Sequence, residues 1–288
     1  MIDAASAGLS SFVDLHTHST ASDGVLPPDR VVAAAHAAGI SALALTDHDT
    51  VAGIPLAAVA GEALGVRVVP GVELSAHDGN REIHILALHV TRHGLLESRL
   101  EFFREGRRQR SVQIVERLKE LGLDVTVEMV MDEAGDAAVG RPHIARAMIR
   151  AGSARDFRDA FDRYLGAGRP AFVAKQRLEV ADAIAIAHEA GALAIWAHPG
   201  SDGRRARLEP LVALGLDGVE VRHPGHMVED VNRLSALTDF FGLVPSGGSD
   251  WHGLAEGPRT IGAMRIPAAW LARQDALVAS RARQAVES

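Results

Sequence analysis

Phe12-Val13-Asp14-Leu15-His16-Thr17-His18 is a short apolar run that ends in two histidines one residue apart. In an extended segment residues i and i+2 point to the same side, so both imidazoles can reach one ion. The arrangement recurs along the chain. Ala42-Leu43-Ala44-Leu45 runs into Thr46-Asp47-His48-Asp49, and Val66–Val69 leads to Pro70-Gly71-Val72-Glu73. Glu82-Ile83-His84 carries an imidazole into a fourth run, Ala197-His198-Pro199 follows a fifth, and Ser249-Asp250-Trp251-His252 repeats the i, i+2 spacing near the end. Polar residues at the ends of successive apolar runs project from one end of a parallel sheet, where α/β folds gather their chemistry.

Seven short apolar runs bounded by turn residues read as buried strands: Phe12–Leu15, Ala42–Leu45, Val66–Val69, Ile83–Leu88, Leu193–Ala197, Gly218–Val221 and Leu243–Pro245. Helical segments at Asp29–Ala38, Ile54–Leu64, Val180–Ala190 and Val228–Phe241 fall between most of them. That alternation is the βα repeat of a parallel sheet, and seven strands point to a barrel. The rhythm breaks between Gly94 and Gln176, where helices beginning with Leu96–Leu121 are expected and no strand is. The expected organisation is an α/β barrel built from residues 1–93 and 177–288, with 94–176 as an inserted helical subdomain. The alanine- and arginine-rich stretch from Arg265 onward receives no role.

With 47% apolar residues the 288-residue chain can bury a large core. It has no cysteine, which excludes disulfides, thiolate metal sites and a cysteine nucleophile and leaves histidine and carboxylate as the strong ligands. The N-terminus lacks the basic and apolar regions of a signal peptide, and no apolar stretch is long enough to span a bilayer, so a cytoplasmic enzyme is expected. A net charge of −7 argues against wrapping duplex DNA, whereas a small anionic substrate is compatible with a local cluster of metals and arginines. Asp49 and Thr50 are candidate caps for the helix that follows, a role that leaves His48 unexplained.

The motifs HTHSTASDG (His16–Gly24), TDHDT (Thr46–Thr50), PGVE (Pro70–Glu73), EIHIL (Glu82–Leu86), AHPG (Ala197–Gly200) and GGSDWHG (Gly247–Gly253), in this order, closely resemble the polymerase and histidinol phosphatase (PHP) superfamily of metal phosphoesterases. The resemblance covers most of the chain. The insertion and the Gly140-Arg141-Pro142-His143 run are most similar to the branch containing 3′,5′-nucleoside bisphosphate phosphatases and short-RNA 5′→3′ exonucleases. It implies a distorted (β/α)7 barrel with two or three divalent ions, Mn²⁺ foremost and Fe²⁺, Zn²⁺ or Mg²⁺ as alternatives, since N/O ligation does not select among them. By resemblance, His16, His18, Glu73 and Asp250 hold the first ion; Glu73, His84 and His198 the second; and Asp23, His48 and His252 the third. Glu220-Val221-Arg222-His223 departs from the pattern, because aromatic residues are expected there.

The chemistry so implied is attack of a metal-bridging hydroxide on phosphorus, with Glu73 bridging ions about 3.5–4 Å apart. The departing alkoxide takes its proton from metal-bound water first, or from His223 or His226, the latter read as a surface loop residue. On the long helix Phe103, Arg107, Arg110, Ile114, Leu118 and Leu121 share one face, so two arginines interrupt an inward stripe; Arg104 and Arg108 lie off it and read as solvated. Arg107 and Arg110, joined by Arg141, His143 and more weakly Lys175, are the expected clamp on a second phosphate. The bland alternatives are snorkelling arginines and a helix that simply starts at Pro142. The expected reaction is removal of the 3′-phosphate from a 3′,5′-nucleoside bisphosphate. The alternatives are a 5′→3′ exoribonuclease on short RNA, a monophosphatase of the histidinol-phosphate type, and a non-catalytic nucleotide-binding module.

Overall fold

The computed structural model describes residues 12–135, 139–174, 177–253 and 259–287. They divide into two compact units, one made of the residues up to Glu97 and from Leu178 onward, the other Ser98–Arg177.

The first unit is a mixed α/β structure around a nearly closed, barrel-shaped sheet of eight strands. In chain order these are β1 (Phe12–Thr17), β2 (Ala42–Leu45), β3 (Arg67–Asp78), β4 (Arg81–Leu88), β5 (Leu193–Trp196), β6 (Gly218–Arg222), β7 (Val244–Gly247) and β8 (Ile266–Pro267), and they lie in the order β7-β6-β5-β4-β3-β2-β1-β8. Helices α1 (Pro28–Ala37) and α2 (Ile54–Leu64) cross over from β1 to β2 and from β2 to β3. Both carry proline in the first turn, where no N–H partner is lost. Gly65 ends α2 at φ 68°, a left-handed cap that costs glycine nothing.

The uniform βα repeat is corrected in the middle of the sheet. β3 and β4 are antiparallel, as are β4 and β5. Asp78-Gly79-Asn80 joins β3 to β4 as a tight turn with too few residues for a parallel crossover, and Asp-Gly is itself a hairpin signal. β3 therefore runs well beyond Val69, and Glu73 lies inside the strand instead of following it. β8, absent from the expected set, pairs antiparallel with β1.

Alternation along β2 shows how the layers form. Ala42 and Ala44 join an apolar cluster with Val13, Leu15, Leu86, Leu88, Leu193 and Ile195, whereas Leu43 and Leu45 pack with Val31, Val32 and Ala57 of the flanking helices. The seam between β1 and the segment after β7 is closed by backbone bonds from Asp250 N–H to His16 O (3.0 Å) and from His18 N–H to Trp251 O (2.9 Å). A Cβ on Gly248 would come within 2.4 Å of His16 Cβ, so this approach requires glycine. Asp14, fully buried, accepts from the N–H groups of Ser249 (2.9 Å) and Gly262 (2.8 Å) and ties both to β1.

The second unit is helical. α3 (His93–Glu120) enters it from the first unit and is followed by α4 (Val127–Ala134), α5 (Arg141–Arg150), α6 (Phe157–Ala160) and a π-helical turn at Phe161–Leu165. Ile114, Leu118, Val130, Ile144, Met148 and Leu165 form its core. Leu121, expected on the inward stripe, is 45% exposed just past the end of α3.

The chain then returns through α7 (Val180–Glu189), α8 (Arg205–Ala213) and α9 (Val228–Phe241) and ends in α10 (Ala268–Glu287). The unassigned C-terminal stretch is thus an integral part of the barrel unit: Leu271 enters the core, Gln274 donates to Pro245 O (2.9 Å), and Arg281 pairs with Asp217. Among the described residues no helix is long and apolar enough to cross a membrane.

Asp217 also accepts from His188 Nε2 (2.9 Å) and Ala194 N–H (2.8 Å). Burial opposes its ionisation, but these donors and Arg281 outweigh it and hold the carboxyl below its usual range. A depressed folded-state pKa contributes stability that is present above the unfolded value near 3.9 and is lost as pH falls through the folded value. Asp217→Asn is expected to lower unfolding stability by about 2 kcal/mol at neutral pH, with the gap to wild type closing below about pH 4, measured by urea denaturation.

Candidate metal centre

Four strand ends and one mid-strand carboxylate converge at one mouth of the barrel. Glu73 on β3 is 1% exposed and meets five imidazoles. Its Oε2 lies 3.2 Å from His16 Nε2, 3.3 Å from His18 Nε2 and 3.3 Å from His48 Nδ1. Its Oε1 lies 2.7 Å from His84 Nδ1 and 2.9 Å from His198 Nε2. The antiparallel hairpin makes this possible, because Ser75 is opposite His84 and brings the imidazole beside Glu73 on the same sheet face.

The side chains fall into three groups whose potential ligand atoms lie within 4.8 Å of one another: His16, His18, Glu73 and Asp250; His18, Asp23, His48 and His252; and His48, Glu73 and His84. In the first, Asp250 Oδ1 is 3.5 Å from His16 Nε2 and 3.2 Å from His18 Nε2. In the second, Asp23 lies 3.3 Å from His252 Nε2 and 3.8 Å from both His18 Nδ1 and His48 Nε2. His198 approaches the third through Glu73 Oε1. The structure therefore brings all nine residues read as ligands into one cluster, with His18, His48 and Glu73 each shared between two groups.

The surrounding backbone is built to hold them. Asp47 accepts from Ser19 N–H, Ser19 Oγ and Ser22 Oγ, all at 2.7 Å, and so fixes the loop that carries Asp23. The cap position of α2 falls at Gly53; Asp49 accepts from Ser75 N–H (3.1 Å) and Oγ (3.2 Å), anchoring the His48 segment to β3, while Thr50 Oγ1 accepts from Ala52 N–H. Asp49, His198 and Asp250 have φ of 51°, 33° and 50°. Left-handed backbone at non-glycine residues is strained, and three such residues at one site are held there by the structure around them.

Electrostatics fit cations. Burial disfavours a charged Glu73, yet the histidines, His16 foremost, hold its carboxyl well below the usual range. Burial likewise opposes charge on Asp23 and Asp250, but neighbouring histidines bring Asp23 down to about 2 and Asp250 lower still. His84, despite burial, is raised to about 10 by Glu73 and Glu82, whereas burial lowers His48. Orphaned atoms fit a metal: both ring nitrogens of His18 and Nδ1 of His48 are buried with no hydrogen-bond partner among the described residues. Buried polar atoms without partners are costly; ions inside the first two groups would satisfy His18, and an ion inside the third would satisfy His48 Nδ1, which faces Glu73.

The mouth is a cavity of about 350 Å³ lined by ligand histidines together with His223, His226 and Arg259. His223 is buried; its Nδ1 accepts from Gly225 N–H (3.0 Å), so its proton sits on Nε2 and goes to Asp250 Oδ2 (3.3 Å). His226 is not a solvated loop residue. Its Nδ1 donates to Val221 O (2.9 Å) and its Nε2 accepts from Gly200 N–H (3.1 Å), so both nitrogens are committed to the backbone. Sequence reasoning missed Arg259, whose guanidinium donates to Asp250 Oδ2 (2.7 Å), and Glu220, a carboxylate inside the buried run Val219-Glu220-Val221. The second had a signal: a charge in the middle of a fully buried strand needs a partner.

The other predicted site residues lie in the helical unit. Arg110 Nε donates to Val173 O (2.8 Å) and Arg141 to Leu165 O (3.2 Å), with the Arg141 guanidinium over the rings of Phe161 and Phe172. Burial, then the nearby charges of Arg141 and Arg107, brings Arg110 down to about 10. Arg141 opens α5 half-buried, and His143 Nδ1 accepts from Gly140 N–H (3.0 Å), so that imidazole also caps the helix. Arg108 is exposed. Lys175 lies outside the described residues, and of the Arg104 side chain nothing is described.

A family model for the PHP domain matches residues 14–167. The chain is 35% identical over 257 residues to a 3′,5′-nucleoside bisphosphate phosphatase of Chromobacterium violaceum, covering 87% of this chain and 90% of the relative. It is 37% identical over 245 residues to a 5′-3′ exoribonuclease of Haemophilus influenzae (83% and 89%). A phosphoribosyl 1,2-cyclic phosphate 1,2-diphosphodiesterase of Eggerthella lenta is 35% identical over 261 residues (88% and 99%). Among solved structures, a protein of Bifidobacterium adolescentis provisionally named a metal-dependent phosphoesterase superposes with a TM-score of 0.74 at 30% identity, covering 92% of this chain and 96% of that one.

Glu73 belongs to two of the three groups and His252 to one. Glu73→Gln is therefore expected to lose metal from two sites and His252→Ala from one, read by elemental analysis after Mn²⁺ loading and desalting.

Proposed function

The chain belongs to the PHP domain family of metal-dependent phosphoesterases, and from that membership we propose that it removes the 3′-phosphate from 3′,5′-nucleoside bisphosphates. The observation that carries the substrate class is a second centre of positive charge. Burial first, and then the charges of Arg141 and Arg107 beside it in the helical unit, depress Arg110, and the hydrogen bonds of Arg110 and Arg141 go to neutral carbonyls. Cations crowded in this way are relieved by an anion, and guanidinium groups bind phosphate oxygens bidentately. A bisphosphate carries a second phosphate for such a group of arginines to hold, which a monophosphate lacks.

In this reading His16, His18, Glu73 and Asp250 hold one ion, Glu73, His84 and His198 with His48 beside them a second, and Asp23, His48 and His252 a third, with Mn²⁺ the first choice. Bound divalent ions supply charge neutralisation on phosphoryl oxygens and acidify water. Glu73 shares its two oxygens between groups and so offsets repulsion between neighbouring dications. Arg259 keeps donors beyond the one it gives Asp250, and we assign them to a phosphoryl oxygen. His223 can protonate a leaving oxygen only by releasing Asp250, and His226 has no uncommitted nitrogen, so protonation of the alkoxide falls first to water.

A 5′→3′ exoribonuclease is the second reading, favoured by the similarity to the Haemophilus influenzae enzyme. The arginine centre would then hold the 5′-phosphate of a short RNA. Metal-stripped protein reloaded with Mn²⁺ is expected to release phosphate from 3′-phosphoadenosine 5′-phosphate and leave 5′-AMP. Turnover confined to a short 5′-phosphorylated RNA, histidinol phosphate or a ribosyl 1,2-cyclic phosphate would replace the bisphosphate assignment. Arg107→Ala/Arg110→Ala is expected to raise KM for the bisphosphate roughly 10- to 100-fold and much less for a 3′-monophosphate. Equal effects on both substrates would sink the clamp.

A further inference from the structure

Glu220 has no role in the ligand set, yet it is fully buried behind it. Its two oxygens serve two different metal-site segments. Oε1 accepts from His16 Nδ1 at 3.1 Å, and Oε2 accepts from the backbone N–H of His198 at 2.7 Å. One carboxylate on β6 thus braces an imidazole on β1 and the strained left-handed turn at His198, φ 33°, after β5. A buried carboxylate is costly unless its oxygens are paired, and removing its partners or its acceptors leaves polar groups stranded.

The consequence lies at the other side of the His16 ring. Nε2 faces Glu73 Oε2 at 3.2 Å and Asp250 Oδ1 at 3.5 Å, both acceptors. Between an imidazole nitrogen and two carboxylate oxygens only a proton or a cation is stable. With the Nδ1 proton committed to Glu220, the neutral ring presents its lone pair at Nε2, toward the first metal group. A hydrogen bond to the outer nitrogen also fixes the ring plane, since rotation about the Cβ–Cγ bond would break it.

We propose that Glu220 is a positioning residue for the first metal group, locking His16 in the Nδ1–H tautomer and holding the His198 turn through its second oxygen. The proposal rests on the metal reading of the site but adds a residue and a tautomer that the ligand set does not specify. It also explains why this position needs a carboxylate: the two donors lie on different oxygens, and glutamine has an acceptor oxygen at only one of those two places. Glutamine would set its amide N–H against either His16 Nδ1–H or the His198 N–H.

Two measurements test it. Metal-stripped wild type and Glu220→Gln are titrated with Mn²⁺, with free ion followed by electron paramagnetic resonance. The variant is expected to bind about 10- to 100-fold more weakly at one class of sites and to keep the others. In diamagnetic Zn²⁺-loaded wild type, nitrogen-15 NMR of His16 is expected to show a proton on Nδ1 and none on Nε2. The second reading needs no variant to fold. A proton on His16 Nε2, or identical Mn²⁺ isotherms for variant and wild type, would overturn the positioning role while leaving the metal centre standing. Wild type that takes up no Mn²⁺ at all would overturn the metal reading and this proposal together.

Discussion

A single buried carboxylate, Glu73, is the constraint around which the barrel unit is arranged. Taking a carboxylate out of water costs several kcal/mol even after relaxation, so it must be surrounded by donors or cations. Five imidazoles supply that surround, from β1, the end of β2, β4 and the turn after β5. No two neighbouring strands could bring them together alone. The requirement links the sheet order to the chemistry: only when β1, β2, β3, β4 and β5 are adjacent in space do these groups share two oxygen atoms.

The groups that hold this arrangement are themselves mostly buried carboxylates. Asp14 ties β1 to the segment after β7, Asp47 ties the Asp23 loop to β2, Asp49 ties β2 to β3, and Glu220 ties β6 to β1 and to the turn after β5. Each accepts backbone N–H bonds from a segment that carries a candidate ligand or borders one. Such bonds are stronger than neutral ones and orient the peptide as well as anchoring it. The left-handed residues Asp49, His198 and Asp250 persist because these anchors outweigh their strain.

The helical unit obeys a different economy. Its core is aliphatic, and its arginines donate to carbonyls and lie over Phe161 and Phe172. Guanidinium groups tolerate such settings because they are weakly hydrated and planar. Positive charge is concentrated there in a protein whose net charge is −7, so the local field and the global charge have opposite signs.

The fold class and the residues that gather around Glu73 were legible in the sequence because both depend on local pattern. Short apolar runs such as Ala42–Leu45 specify buried strands, and histidines at their ends place a rim of imidazoles at one mouth of the sheet. Less visible were the β3–β4 hairpin, β8, and the partners of His226 and Asp49, because strand direction and side-chain partners are settled by contacts between residues far apart in the chain. Asp78-Gly79-Asn80 did announce a hairpin, but the βα rhythm on either side obscured it. Glu220 and Arg259 lie far along the chain from His16 and Glu73, and no spacing rule connects them. Composition and local pattern alone settled where the apolar strands lie and which chemistry the polar residues at their ends could support, since hydrophobicity and ligand type are properties of single residues. Which nitrogen faces which oxygen was settled by the folded arrangement, because hydrogen-bond geometry exists only once the strands have closed around Glu73.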